Sequence, residues 1–159
     1  MRSFEEIKNI PSFPGIYAFK GAYDRREEYS YVGMTNNLKE RVSQHLIKKD
    51  SSIVTGSSTI SLNPDKICEC HWWIHKKFED KRLRSIAEQI AFDLLKPTLR
   101  SRGHSVEDKV ENVFKQEMID LFKGIPSGYA TFYNLDWAIR KIRELEKEIN
   151  LLKQNTFKK

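Results

Sequence analysis

The chain has 159 residues, of which 39% are hydrophobic and 11% aromatic, enough for one domain with a buried core and too apolar for a disordered chain. Its apolar runs are too short to cross a bilayer, so we expect no membrane association. The net charge of +6 lies mainly in residues 1–105, which hold 18 Lys and Arg against 13 Asp and Glu. This excess favours a polyanion such as nucleic acid as partner.

Two further features favour a cytoplasmic location. Residues 1–6 carry acids where a secretory signal would need an apolar stretch, so no export signal is expected. The two cysteines, Cys68 and Cys70, are too close on one predicted strand for an unstrained disulfide, as expected in a reducing compartment.

The first third of the chain predicts a hairpin followed by a helix. Residues 14–20 and 29–35 are rich in Tyr, Phe, Val and Ile, which is typical of strands. Asn37 with Glu40 resembles a capping box, and the helix should run over residues 38–47. Its apolar positions have helical spacing: Leu38, Val42 and Leu46.

The middle of the chain predicts a long loop, a third strand and two helices. The loop over 50–66 is polar and is either a nucleic-acid contact or a mobile insertion. Residues 67–75 predict a strand with bulky side chains on both faces, and 82–96 a helix that Pro97 stops. Residues 106–124 predict an amphipathic helix.

The C-terminal segment has the spacing of a coiled-coil seam. Its apolar residues alternate at gaps of three and four: Leu135, Ala138, Ile142, Leu145, Ile149 and Leu152. We expect homo-oligomerisation through residues 134–154, with a helix that packs back on its own domain as the alternative.

The sequence thus predicts three strands and several helices. The predicted domain covers residues 1–105. A helical extension, residues 106–159, follows it and is expected to serve dimerisation.

Aromatic side chains of the predicted hairpin should share one face, because side chains alternate along a strand. The expected register pairs Gly15 with Gly33, Tyr17 with Tyr31, and Phe19 with Tyr29. Both phenols of the central pair could then address one ligand atom.

The two predicted helices next to the sheet add charged groups. Arg41 and His45 are one turn apart, so a phosphate-binding guanidinium and a proton-exchanging imidazole share a helix face. Glu88 lies at the apolar border of its helix, opposite the polar face, and a single carboxylate with water and substrate phosphate is a common way to hold Mg²⁺.

The motif residues resemble the GIY-YIG nuclease superfamily over about residues 10–100. They are Gly15-Ile16-Tyr17, Tyr31-Val32-Gly33, Arg41, His45 and Glu88 ahead of Pro97. The resemblance implies an α/β fold of the α+β kind, a small three-stranded antiparallel sheet flanked by helices. It also implies a DNA endonuclease with one divalent cation, Mg²⁺ or Mn²⁺.

In that family pattern, Tyr17 would activate the attacking water and Tyr31 would assist it. Arg41 would hold the scissile phosphate and Glu88 the metal. His45 matches a branch resembling restriction enzymes, in which it would accept the proton of the tyrosine.

One position departs from the family. Many members carry asparagine where this chain has Arg100, so a catalytically silent DNA-binding module is an alternative, and a coiled-coil adaptor is another. The expected nucleic-acid contacts are basic residues: Lys76, Lys77, Arg84, Arg100 and Arg102.

Overall fold

A computed structural model describes residues 7–21, 29–47, 63–99 and 111–156. Four antiparallel strands form one sheet in the order β2-β1-β3-β4. The strands are β1 (Gly15–Gly21), β2 (Tyr29–Thr35), β3 (Ile67–Trp73) and β4 (Gly128–Thr131). The helices are α1 (Leu38–Leu46), α2 (Lys81–Leu95), α3 (Asn112–Lys123) and α4 (Leu135–Thr156).

Helix boundaries follow local capping chemistry. The Asn37 side chain accepts a hydrogen bond from the Glu40 backbone N–H at 3.1 Å and starts α1. Asp80 does the same for α2, accepting from the N–H groups of Arg82 and Leu83. Lys96 ends α2 in the left-handed conformation, with φ of 47°, directly before Pro97.

The sheet buries one hydrophobic cluster on each face. Tyr17 and Phe19 of β1 lie on the face that packs against α1, which we call the Tyr17 face. Ile16 and Ala18 point the other way, onto the face covered by α2 and α3, which we call the α2 face. The alternation of β1 therefore sorts its side chains between two cores.

The α+β class and the antiparallel sheet are confirmed, but the prediction of three strands is wrong. The fourth strand, β4, pairs with β3 through the partners Cys70 and Ala130. It lies within residues 106–159, so this segment contributes a strand and the packed helix α3 to the sheet layers. The assignment of α4 to dimerisation stays a prediction.

The predicted hairpin register is wrong by two residues. Tyr17 lies opposite Gly33, and Phe19 lies opposite Tyr31. A shift of two positions keeps every side chain on its face, since the side-chain period is two, so Tyr17 and Tyr31 still share the Tyr17 face.

A bulge at Ser30 changes the position of Tyr29. The register shifts between Phe19 and Lys20, where β2 has one extra residue. Ser30 donates its hydroxyl to the Phe19 carbonyl at 3.0 Å, and Tyr29 packs with the cluster of the α2 face. The expected pairing of Phe19 with Tyr29 is therefore also wrong.

The chain just beyond α2 returns to this bulge. The backbone N–H of Thr98 donates to the Tyr29 carbonyl at 3.0 Å, and that of Leu99 donates to the Ser30 carbonyl at 2.9 Å. Leu99 also packs against the cluster of the Tyr17 face. These contacts fix the end of α2 to β2.

Several sequence predictions, besides those for Arg100 and Arg102, fall outside the described residues. They concern residues 1–6, most of the loop over 50–66, and the start of the helix expected from residue 106. Among the described residues, no helix combines the length and the apolar character needed to cross a membrane.

Candidate active site

The centre of the candidate site is a tyrosine and a histidine on neighbouring elements. The Tyr17 hydroxyl on β1 lies 2.7 Å from Nε2 of His45 on α1. Both side chains are almost fully buried, with 1% and 3% of their surfaces exposed. A buried pair at this distance has a direct path for a proton between phenol and imidazole.

Tyr31 lies diagonally across the hairpin from Tyr17. The ring centroids are 6.0 Å apart, and the glycine opposite Tyr17 explains the close approach. A Cβ at residue 33 would lie 2.6 Å from the Tyr17 hydroxyl oxygen and 2.9 Å from the Tyr31 ring. Gly33 therefore leaves the space in which both phenols lie.

Arg41 and Glu88 act on the two phenols by their charges. Arg41 is one turn before His45 and donates to Gln44 Oε1 at 3.0 Å. Burial raises the pKa of Tyr17, and the charge and hydrogen bond of Arg41 partly oppose this rise. Glu88 of α2 raises the pKa of Tyr31 by its negative charge. Tyr17, Tyr31 and His45 thus form one cluster, and the charges of Arg41 and Glu88 reach its phenols.

Burial dominates the titration of both phenols. Burial is the largest cause of the raised pKa of Tyr17, and Tyr31 raises this pKa further. Arg41 lowers the pKa of Tyr17 by less than these two effects raise it. Burial is also the first cause of the raised pKa of Tyr31, followed by Glu88. Both phenols are therefore protonated at neutral pH, so Tyr17 can accept a proton only if it passes its own to another group.

The donor set around the phenols suits a cation held by few protein ligands. Glu88 is the carboxylate whose charge reaches Tyr31. Among the residues with described positions, no group of three or more His, Cys, Asp or Glu could hold a metal ion. One carboxylate completed by water and phosphate oxygens fits Mg²⁺ or Mn²⁺, whereas it does not fit structural zinc.

The expected nucleic-acid contacts differ in their surroundings. Lys76 is exposed. Lys77 pairs with Glu117 of α3, and Arg84 is buried with its guanidinium donating to the Phe78 carbonyl. These contacts favour a structural role for Lys77 and Arg84. Arg100 and Arg102 lie outside the described residues.

A second tyrosine–histidine pair, which the sequence did not predict, lies on the α2 face. The Tyr29 hydroxyl lies 2.9 Å from Nδ1 of His71, and Nε2 of His71 lies 3.0 Å from Glu69 Oε2. Burial and the Glu69 charge raise the pKa of Tyr29 to about 12. The spacing of Glu69 and His71 on one strand was a signal for this cluster, but the bulge that turns Tyr29 toward it was not predicted.

Comparison with known proteins agrees with the motif residues. Residues 13–94 match the GIY-YIG catalytic domain family. The UvrABC system protein C of Carboxydothermus hydrogenoformans is 42% identical over 45 residues, which are 28% of this chain and 7% of that protein. The match therefore covers only a small part of that relative's length. No solved structure gives a significant match.

Proposed function

This chain belongs to the GIY-YIG family, and from that premise we propose that it is a divalent-metal-dependent DNA endonuclease that hydrolyses phosphodiester bonds. The observation that carries the proposal is the 2.7 Å contact between the Tyr17 hydroxyl and His45 Nε2. The charge of Arg41 beside the same phenol adds a group suited to phosphate.

Tyr17 acts as the general base through His45. The phenol is protonated at rest because burial raises its pKa, so it donates to Nε2 of a neutral imidazole whose own proton is on Nδ1. As water attacks phosphorus, the proton of the water moves to the Tyr17 oxygen and the phenolic proton moves to His45 Nε2. The phosphorus–oxygen bond to the leaving strand breaks opposite the attacking oxygen.

Arg41 binds the scissile phosphate, because its planar guanidinium can donate two hydrogen bonds to phosphate oxygens. Tyr31 positions the attacking water. Its ring centroid lies 6.0 Å from that of Tyr17. Glu88 supplies the protein ligand for Mg²⁺ or Mn²⁺. Such a cation, when bound, stabilises negative charge on the leaving oxygen.

Nicking of supercoiled plasmid tests the proposal. We expect nicking with Mg²⁺ or Mn²⁺, none with EDTA, and loss of nicking in Tyr17→Phe and Glu88→Ala. Tyr29→Phe is the matched control, because it removes a hydroxyl that also contacts a histidine but lies on the α2 face. Equal loss in both tyrosine variants would contradict the role of Tyr17.

A catalytically silent DNA-binding module is the second candidate. Its support is Arg100 at a position where many family members carry asparagine. Metal-independent DNA binding without nicking by the wild-type protein would favour this candidate. A cytoplasmic location stays a prediction for either function.

A further inference from the structure

Helix α4 presents a long apolar seam to solvent. The large seam residues Leu135, Ile142, Leu145 and Ile149 are between 46% and 75% exposed. All residues from 141 to 155 are exposed, so in the described part of the chain this stretch does not pack back on its own domain. An apolar stripe of this length on a soluble helix is typical of an interaction surface.

The seam follows a heptad pattern with different residues at its two core positions. The first position holds Leu135, Ile142 and Ile149, and the fourth holds Ala138, Leu145 and Leu152. Two of the three heptads thus combine isoleucine at the first position with leucine at the fourth, which favours parallel two-stranded coiled coils. We propose that α4 pairs with α4 of a second copy of this chain as a parallel, in-register coiled coil.

Charges beside the seam support this orientation. In a parallel pair, the seventh residue of one heptad faces the fifth residue of the following heptad on the other helix. Lys141 then meets Glu146 of the partner subunit, and Glu148 meets Lys153 of the partner subunit. Two-fold symmetry makes four attractive pairs, with no like charges opposed.

The contact that Lys141 makes within its own helix offers little competition. Its Nζ donates to Glu144 Oε2 at 3.2 Å, and both side chains are more than half exposed. Exposed pairs of this kind contribute little to stability, so the lysine can exchange Glu144 for a partner residue at small cost.

The start of α4 is tied to the sheet, which gives the pairing a geometric consequence. Asn134 donates to the carbonyls of Asp65 and Ile67 at 3.0 and 2.8 Å, and its side-chain oxygen accepts from the Trp137 N–H at 2.9 Å. A parallel pair therefore places both sheet domains at the same end of the coil. If the proposed nuclease function holds, one dimer brings two active sites to one duplex.

An antiparallel pair makes a different set of contacts. Lys141 could then meet Glu148 of the partner subunit, but the 22 residues of α4 would separate the two sheet domains by about 33 Å, at 1.5 Å per residue. Charge exchange and cross-linking distinguish the two orientations.

Sedimentation of the full chain with charge variants tests the pairing without requiring activity. We expect a wild-type dimer, and Lys141→Glu and Glu146→Lys should each weaken it by about tenfold. Mixing these two variants should restore dimerisation, because each helix then meets the opposite charge. Lys147→Glu, the same charge change on the outer face, is the control and should leave the dimer intact.

Cross-linking tests the orientation. Leu152→Cys should form an intersubunit disulfide under mild oxidation, whereas Gln154→Cys, on the outer face, should not. A monomeric wild-type chain at about 100 μM, a dimer that does not respond to the charge variants, or no cross-link at residue 152 would each overturn the proposal. A silent but dimeric protein would instead contradict only the nuclease function.

Discussion

The Tyr17 hydroxyl and His45 Nε2 are 2.7 Å apart although 28 positions separate these residues in the chain. Close packing of α1 on the sheet makes this possible. A Cβ at residue 15 would lie 2.7 Å from Leu38 Cδ1, so Gly15 leaves space for the first residue of α1. The pair therefore depends on a glycine that takes no part in the proton path.

The first prediction concerns the proton acceptor. His45→Ala should lower the nicking rate by about 100-fold, the lower end of general-base effects. Protonated imidazole has no lone pair, so the wild-type rate should also fall in acid, and this dependence should weaken in the variant. Nicking rates between pH 5.5 and 8.5 measure both effects. His71→Ala is the matched control on the α2 face, and a similar loss there would contradict the assignment.

The second prediction concerns the charge next to Tyr31. Burial raises the pKa of Tyr31 and the negative charge of Glu88 raises it further, so Glu88→Gln should lower that pKa. NMR titration of tyrosines labelled at Cζ measures it, with Tyr31→Phe to assign the signal. Glu69→Gln is the control, because it should instead lower the pKa of Tyr29 from about 12. An unchanged pKa of Tyr31 in Glu88→Gln would show that the Glu88 carboxylate lies too far from Tyr31 to affect its titration.

The third prediction concerns the space beneath the phenols. Gly33→Ala adds a methyl group 2.6 Å from the Tyr17 hydroxyl oxygen, so the Tyr17 ring must leave its position beside His45. We expect at least a tenfold loss of nicking and a lower free energy of unfolding, by about 1–3 kcal/mol. Urea unfolding and plasmid nicking measure these changes.

Gly124→Ala is the control for that variant. Its added Cβ would lie 3.3 Å from the Asp120 carbonyl oxygen, and its backbone is extended, with φ of −80°. A movement of a few tenths of an ångström accommodates this Cβ, so Gly124→Ala should keep its activity and lose less stability than Gly33→Ala. Wild-type activity in Gly33→Ala would show that Tyr17 tolerates displacement.

The fourth prediction concerns stability in alkali. Burial raises the pKa of Tyr17 well above 10.0, so above pH 10 the native state holds a proton that the unfolded chain has released. The contribution is complete below pH 10 and is lost as the pH rises toward the native pKa. Stability should therefore fall by up to about 1.4 kcal/mol per pH unit from this residue.

Urea unfolding at pH 8, 10 and 11 compares wild type with variants. Tyr17→Phe should flatten the alkaline fall, and Tyr29→Phe should flatten it less, because Tyr29 is only partly buried and water screens its charge. An identical slope in wild type and Tyr17→Phe would show that the native state does not retain this proton.

Sequence periodicity was enough to predict the shared face of the site, but not its pairing. Tyr17 and Tyr31 fall on one face for any register shifted by an even number of residues, so the wrong register still grouped them correctly. The position of His45 followed from helical spacing after Asn37. Convergence of side chains from separate elements could be anticipated only through the resemblance to a family.

Two parts of the fold depend on tertiary contacts and gave weak sequence signals. The strand β4 has four residues, too few for a clear alternation, and its pairing with β3 defines it. The bulge at Ser30 adds one residue to β2, and a single extra residue reverses the face of Tyr29. Because of this reversal, the sequence did not predict the cluster of Tyr29, His71 and Glu69.

The hydrogen bonds from Thr98 and Leu99 to the carbonyls of Tyr29 and Ser30 also protect an open border of the sheet. Strand β2 is outermost on its side, and exposed backbone groups there could pair with a strand of another molecule. The segment after α2 occupies two of those acceptors at the bulged end. Edge-to-edge pairing of sheets through β2 is thereby disfavoured, which is compatible with the association of copies proposed for α4.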